Sequence, residues 1–520
     1  MPMNRRAVIL VSLLAVTVLS GIVPSSAIAQ AQYLSTYALE ARSGDILVTI
    51  PSNSVSHISV AGSVLWIGTG KGLAKSTDGG RTWESFMSTP QFATRGIFGI
   101  ALRGDTVWVS TGYSKDVDGS SVQTGSGYTY STDFGATWAS RPQTLDGRGD
   151  SMVTYGANTV KFLPIVVNEQ NVTFDLSLSN GTLWIASWSS GIRKSTDMGA
   201  TWQRIVLPSK ILSSIAPTDT LVNYKIDPRE NYNYLGFAVY AQDNDTIWAG
   251  TAGGINKSTD GGQSWAKFTR YNQVEHILSD WVTAIAGQQI GTYTRIWITN
   301  WPAEGPGQEY GVSMTDDGGR TWKNFLNGIK AYDFAFKDSV VYVATTEGMY
   351  RSADAGLTWQ RSGDIIDATA RERITANTFY SAAVMGDTVY CGSSEGLVKT
   401  VDSPGTPFGS RWEILRAFAP LPSRTSTYAY PNPFSPRLET IRVRYATTRP
   451  QASVTVEVFD FGMNRMRTVV RNAQRTSAGE YDERWDGRTD AGDLVKNGVY
   501  FYRVTIDDDE PVWGKIMVLQ

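Results

Sequence analysis

Three carboxylates, Asp150, Glu230 and Asp280, stand where the chain looks irregular rather than strand-like. Hydrolysis of a glycosidic bond needs two such groups flanking the bond, one protonated and one ionised. Asp280 with Asp150 or Glu230 is the pair this sequence offers, although linear order says nothing about separation. Around them lie rings that could stack on a sugar or anchor a protein partner: Tyr113, Trp188, Trp281 and Trp301. Arg148, Arg229 and His276 could add charge to such a site. The opposing reading is plain: large rings pack loops onto a scaffold, and loop charges are mostly solvated. Metal chemistry has no ligand set to draw on, because the 520 residues hold one cysteine, Cys391, and two histidines, His57 and His276. No metal and no cofactor are expected. With 47 basic and 49 acidic residues there is no positive excess to neutralise phosphates, so nucleic acid is not an expected partner.

The elements that must position these residues announce themselves as a repeat. The pattern is Ser/Thr-x-Asp-x-Gly-x-Thr-Trp, first seen from Ser76 through Asp78 to Trp83. It returns with Asp133 and Trp138, Asp197 and Trp202, Asp260 and Trp265, Asp317 and Trp322, and Asp354 and Trp359. A seventh copy is degraded: Asp402 is followed by an insertion before Trp412. Upstream of each copy an apolar run carries one aromatic at a matching place: Trp66, Trp108, Trp184, Trp248, Trp297, Tyr342 and Tyr390. Runs such as Thr106-Val107-Trp108-Val109 alternate as strands do. Asp and the hydroxyls can accept and donate within a tight turn, and Gly supplies positive φ. A turn that recurs this often is a structural device rather than a catalytic one.

These residues resemble the Asp-box, or bacterial neuraminidase repeat, of sialidases, some glucan hydrolases, sortilin-type receptors and photosystem assembly propellers. The resemblance implies a seven-bladed β-propeller over residues 50–418, each motif closing the turn between a blade's third and fourth strands. Ligands of such propellers tend to bind at the opposite face. The long segments 139–171 and 204–235, which would join blades, and 112–127 and 299–311, expected as loops between second and third strands, fall on that face. The early Arg-Ile-Pro signature of sialidases is absent. The glucan hydrolases with this motif use a cleft between two propellers, and this chain has residues for one.

After Trp412 the repeat stops. Residues 419–428 read as a linker. Residues 429–520 carry Tyr430-Pro431-Asn432-Pro433-Phe434, Trp485-Asp486-Gly487-Arg488 and Gly498-Val499-Tyr500-Phe501-Tyr502 among alternating strands. This segment resembles the FlgD Ig-like domain as used in type IX secretion sorting domains, which implies a β-sandwich and export past the outer membrane. At the other end, residues 1–29 read as a signal peptide, with Arg5 and Arg6 before an apolar run and Ala27-Ile28-Ala29 as the cleavage site. Residues 30–49 lead into the repeat, and no later stretch suggests a membrane span. The expectation is therefore an all-β protein, a seven-bladed propeller followed by an Ig-like sandwich. It would be secreted or held on the outer surface of a Gram-negative bacterium, there to bind a protein or glycan without catalysis. Its C-terminal domain would engage secretion machinery. A glycoside hydrolase with its site on the long-loop face is the alternative. Of 17 tryptophans, the motif and the repeated strand absorb twelve and the C-terminal segment two, which leaves Trp188, Trp281 and Trp301 as the rings without an assigned scaffold role.

Overall fold

The structure, a computed structural model, describes residues 46–47, 50–86, 89–92, 95–370, 372–417, 421, 423, 425–437 and 439–519. The expected export signal, and nearly all of the lead-in, lie outside these residues. The chain is all-β. Seven antiparallel sheets follow one another along residues 46–415, each built from at least four strands in sequence order. Two of them gain a fifth strand at the outer edge, Ile46–Leu47 on the first and Ser214–Ile215 on the fourth. The first strands of the sheets are Val55–Ala61, Gly96–Arg103, Thr173–Ser179, Gly236–Ala241, Trp281–Ile290, Ala331–Lys337 and Phe379–Met385. Each lies against the next, and the last returns to the first. That closed ring of inner strands around one axis makes the repeat region a β-propeller.

The eight-residue motif closes the turn between third and fourth strands by one hydrogen-bond scheme. At Asp78, Oδ1 accepts from the amides of Arg81 (2.9 Å) and Thr82 (3.0 Å), and Oδ2 accepts from the Thr82 hydroxyl (2.7 Å). The Ser76 hydroxyl donates to Asp78 Oδ1 (2.8 Å) and accepts from the Gly80 amide (2.8 Å). The core of this scheme recurs at Asp133, Asp197, Asp260, Asp317 and Asp354. The motif indole then meets the repeated aromatic of the preceding sheet edge-on: Trp138 with Trp66 (6.1 Å), Trp265 with Trp184 (6.4 Å), Trp322 with Trp248 (6.3 Å) and Trp359 with Trp297 (6.3 Å). The motif glycine leaves room for that ring. At Gly262, φ is +85° and a Cβ would stand 2.5 Å from Trp184 Cη2. Lysines complete the joint, each lying over the same indole and donating to a motif carbonyl one sheet on. Lys75 reaches Phe134 O (3.2 Å), Lys194 reaches Gly261 O (2.8 Å) and Lys257 reaches Gly318 O (3.0 Å).

The degraded seventh copy departs from the expected scheme. Thr400 keeps its place, its hydroxyl accepting from Gly409 N (3.2 Å), but Asp402 turns to the preceding sheet. There it takes the Arg351 guanidinium (Nε, 2.5 Å) and the Tyr342 hydroxyl. The insertion before Trp412 moves the turn's later amides out of Asp402's reach, so its carboxylate finds another set of donors. Trp412 stays buried. The ring shuts without strand exchange: Tyr390 Oη and Lys399 Nζ both donate to Gly79 O (3.2 Å each), and Ala417 N donates to Asn53 Oδ1 (2.6 Å).

Segment 112–127, expected as a loop, is instead an extended hairpin, since Thr106–Val117 and Ser120–Ser131 pair to their tips. The two sheet-joining insertions meet in a small sheet of their own. The hairpin Met152–Tyr155 with Asn158–Phe162 from one takes Lys225–Ile226 in parallel from the other. Beyond the propeller, two sheets form a sandwich. One holds Tyr428–Tyr430, Ile441–Thr447 and Gly479–Trp485, and the other Ala452–Phe459, Arg465–Arg475, Gly498–Ile506 and Val512–Val518. Val443, Val456, Trp485 and Tyr502 meet in its core. Cys391 is a buried core residue of the seventh sheet.

Candidate functional site

In an up-and-down sheet the start of the inner strand sits beside the turn from second to third strand, at the end away from the motif. Every inner strand here slips register by one residue near that start. The slip swings one residue out of the ladder and toward the axis. Those residues are Ser56, Phe98, Phe174, Phe237, Thr283, Tyr332 and Tyr380. Five of the seven are aromatic, and they touch: Phe98–Phe174 at 6.3 Å, Phe174–Phe237 at 6.0 Å and Tyr332–Tyr380 at 5.4 Å. Trp188 and Trp281 join Phe237 at 5.1 and 5.6 Å, and Trp301 joins Tyr332 at 5.6 Å. The result is a collar of rings contributed by six sheets at the mouth of the central channel. Phe98, Phe174, Tyr332 and Tyr380 keep part of their surface open.

Two carboxylates flank the register slips. Asp175 accepts from the amides of Leu176 (2.8 Å) and Val239 (2.9 Å), and Asp333 from those of Phe334 (2.8 Å) and Ala382 (3.0 Å). Each thus ties its inner strand to the next one, serving a backbone edge that no other strand covers. Burial pushes both carboxyls up to about 7, against the pull of those amides. Burial also holds the His57 imidazole, on the first inner strand, down at about 4. Lys330 stands just before the sixth inner strand, its Nζ 3.8 Å from the Trp301 ring centre and within 5.7 Å of those of Tyr310 and Tyr332. Burial lowers its ammonium to about 8.

The three tryptophans singled out from the sequence come together, but as packed rings: Trp188, Trp281 and Trp301 are 9%, 5% and 4% exposed. Trp301 also donates its indole N–H to Ala331 O (2.9 Å). Tyr113 is 45% exposed on the extended hairpin. The three carboxylates are not brought into contact. Asp150 is exposed and accepts from its own turn at Gly147 N (2.9 Å). Glu230 is exposed beside Lys225 (3.2 Å). Asp280, half-buried and with its pKa raised by burial, accepts from Arg270 N (2.8 Å) and Gln308 Nε2 (3.1 Å). Arg148 is exposed, Arg229 forks onto buried Asp227 (2.9 and 2.7 Å), and His276 Nδ1 meets Ile277 O (2.8 Å). Among the described residues no group of three or more His, Cys, Asp or Glu could hold a metal.

One fastener of the long-loop face lies apart from the collar. Asp146, in the first insertion, accepts from Arg193 Nη2 (2.7 Å) and from Arg204, both buried on the third sheet. The collar itself went unread in the sequence, although a signal was there. Phe98, Phe174, Tyr332 and Tyr380 each stand ten residues before the repeated second-strand aromatic, and Phe237 stands eleven before.

The fold and this mouth define a class: a β-propeller with an aromatic channel entrance, followed by an Ig-like domain. Residues 437–510 match the family model of the FlgD Ig-like domain. Over 178 residues, 33% of this chain, the sequence is 28% identical to a xyloglucanase of Paenibacillus sp.. The match spans only 13% of that protein's length. Among solved structures, the GH74 enzyme of Niastella koreensis is 14% identical, with 92% of this chain and 74% of that one covered and a TM-score of 0.48. PorZ, a bacterial surface component of the type-IX secretion system of Porphyromonas gingivalis, is 14% identical over 91% and 66% of the two chains, with a TM-score of 0.36. YCF48 from Cyanidioschyzon merolae is 19% identical over 69% and 98%, with a TM-score of 0.42. Among the described residues no helix is long and apolar enough to cross a membrane.

Proposed function

We propose that this chain is an exported, non-enzymatic propeller that binds a glycan or a protein at the channel mouth. In this reading the seven sheets are seven blades closed by Asp-box turns, spanning residues 50–418. Residues 429–520 are the sorting-type domain that takes the protein to the surface of, or out of, a Gram-negative cell. The observation that carries it is the collar: five aromatic side chains swung toward the axis by the same register slip, four of them partly open. Partly exposed rings on a rigid ring of strands form the kind of surface that sugars and protein anchors use. The hydrolase reading draws on the xyloglucanase match. Against it, Asp150, Glu230 and Asp280 are each committed to separate partners.

The test is a panel of polysaccharides and surface-protein fragments, scored in parallel for binding and for release of reducing ends. The double variant Tyr332→Ala/Tyr380→Ala should lose binding while its circular dichroism stays unchanged. Turnover of any polysaccharide that disappears with Asp280→Asn would sink the non-enzymatic reading.

A further inference from the structure

Three lysines of the propeller share one setting at the motif end, and a fourth, at the mouth, differs. Lys75, Lys194 and Lys257 each sit over a second-strand tryptophan at 4.9 to 5.5 Å, and each donates to a backbone carbonyl of the next sheet. Lys330 lies closer to its ring than any of them, 3.8 Å from the centre of Trp301. Yet among the described residues its Nζ has no carbonyl acceptor and no carboxylate partner. The ring face offsets part of the cost of drawing a half-buried ammonium partly out of water, and it engages none of the three N–H donors in a hydrogen bond to oxygen. The acids on the same face do not supply the missing partner. Glu395 is taken by Thr375 and Arg416, Glu347 faces the Tyr350 hydroxyl (3.5 Å), and Glu304 and Glu309 stand exposed on their loop. Beside Lys330, the Tyr332 and Tyr380 rings are partly open.

Resting on the reading of the mouth as a binding site, we infer that its ligand is a carboxylate-bearing saccharide, a uronic-acid polysaccharide. A sugar ring stacks on the open part of Tyr332, with Tyr380 edge-on beside it at 69°, and its carboxylate takes N–H donors of Lys330. A charge-assisted bond to a partly desolvated ammonium is worth more than one in open water, and it discriminates between an acid and its neutral ester.

The experiment is calorimetric titration of the full chain with four probes: an oligogalacturonate, its methyl ester, a neutral gluco-oligosaccharide and a polyglutamate peptide. The oligogalacturonate should bind and its methyl ester should not. Lys330→Met should weaken the acid form about tenfold or more, while Lys330→Arg retains it. Equal binding of the ester or the neutral oligosaccharide would overturn the acid specificity and leave the mouth as a glycan site. Binding of polyglutamate alone would overturn the saccharide assignment and leave the mouth as a protein site. If the oligogalacturonate binds equally well to Tyr332→Ala/Tyr380→Ala, the mouth is not the site, and both readings fail.

Discussion

The two ends of the propeller use aspartate in opposite ways. At the motif end, Asp133, Asp197, Asp317 and Asp354 meet hydroxyl and amide donors in open turns, and those donors bring each carboxyl down to about 2. At the channel mouth, Asp175 and Asp333 accept two amides each and no hydroxyl, and burial carries them up to about 7. The motif carboxylates gather three or four donors each in open turns and the mouth carboxylates two each at buried sites, and both differences push in the same direction. The lysines divide the same way: Lys75, Lys194, Lys257 and Lys399 at the motif end have carbonyl acceptors, and among the described residues Lys330 at the mouth has none. One end repeats a single scheme of paired aspartates and lysines sheet after sheet. The other varies from sheet to sheet in the side chains it presents.

The comparison can be broken hardest at the mouth end. Asp146→Ala strands two buried guanidiniums, and loss of one member of a buried ion pair costs roughly 3–5 kcal/mol. Calorimetry should show a clear drop in the propeller's Tm, and an unchanged Tm would mean that the insertion is not fastened there. At the motif end, one turn among several equivalents is a smaller loss. Asp317→Ala removes an acceptor of cap-like bonds worth about 1 kcal/mol, and Asp317→Asn, which keeps Oδ1, should lose less. A drop as large as that of Asp146→Ala would show that the turns are not interchangeable.

The gentlest probe is pH. The motif aspartates have folded pKa values below their unfolded ones, so their contribution is present above about pH 4 and is lost as pH falls toward 2. Asp175 and Asp333 have raised values. Between about pH 4 and 7 the folded state binds more protons there than the unfolded state, so the contribution of these two groups to stability falls as pH rises through that window, while that of His57 rises. Asp333→Asn should flatten this neutral limb in a Tm-against-pH series and leave the acid limb unchanged. An unaltered neutral limb would remove the contrast between the two ends.

The repeat made the fold readable because one turn scheme, with its indole and glycine, is reused almost unchanged; the motif marks the joints directly. The mouth was harder to read for a physical reason. Trp188, Trp281 and Trp301 stood out by residue type, but they form the packed wall behind the collar. The open rings are ordinary members of inner strands until a one-residue slip swings them inward, and strand alternation does not announce a slip. Their constant offset from Trp108, Trp184, Tyr342 and Tyr390 was the available clue. Asp402 shows the converse, a residue placed by motif position that the insertion after it redirects to Arg351 and Tyr342.

The manner of ring closure has a mechanical consequence. The strand Trp412–Leu415 ends the seventh sheet, and the chain leaves it for the sandwich within sight of the seam held by Tyr390, Lys399 and Ala417. A pull on the sandwich is therefore delivered to the joint with the fewest covalent safeguards. Part of that force is diverted sideways, because Arg442 grips Glu372 and Arg484 reaches the carbonyls of Thr369 and Ala370 on the segment ahead of the seventh sheet. Under any pull on the sandwich these contacts act as a strain relief: tension must shear them before it can peel the ring open.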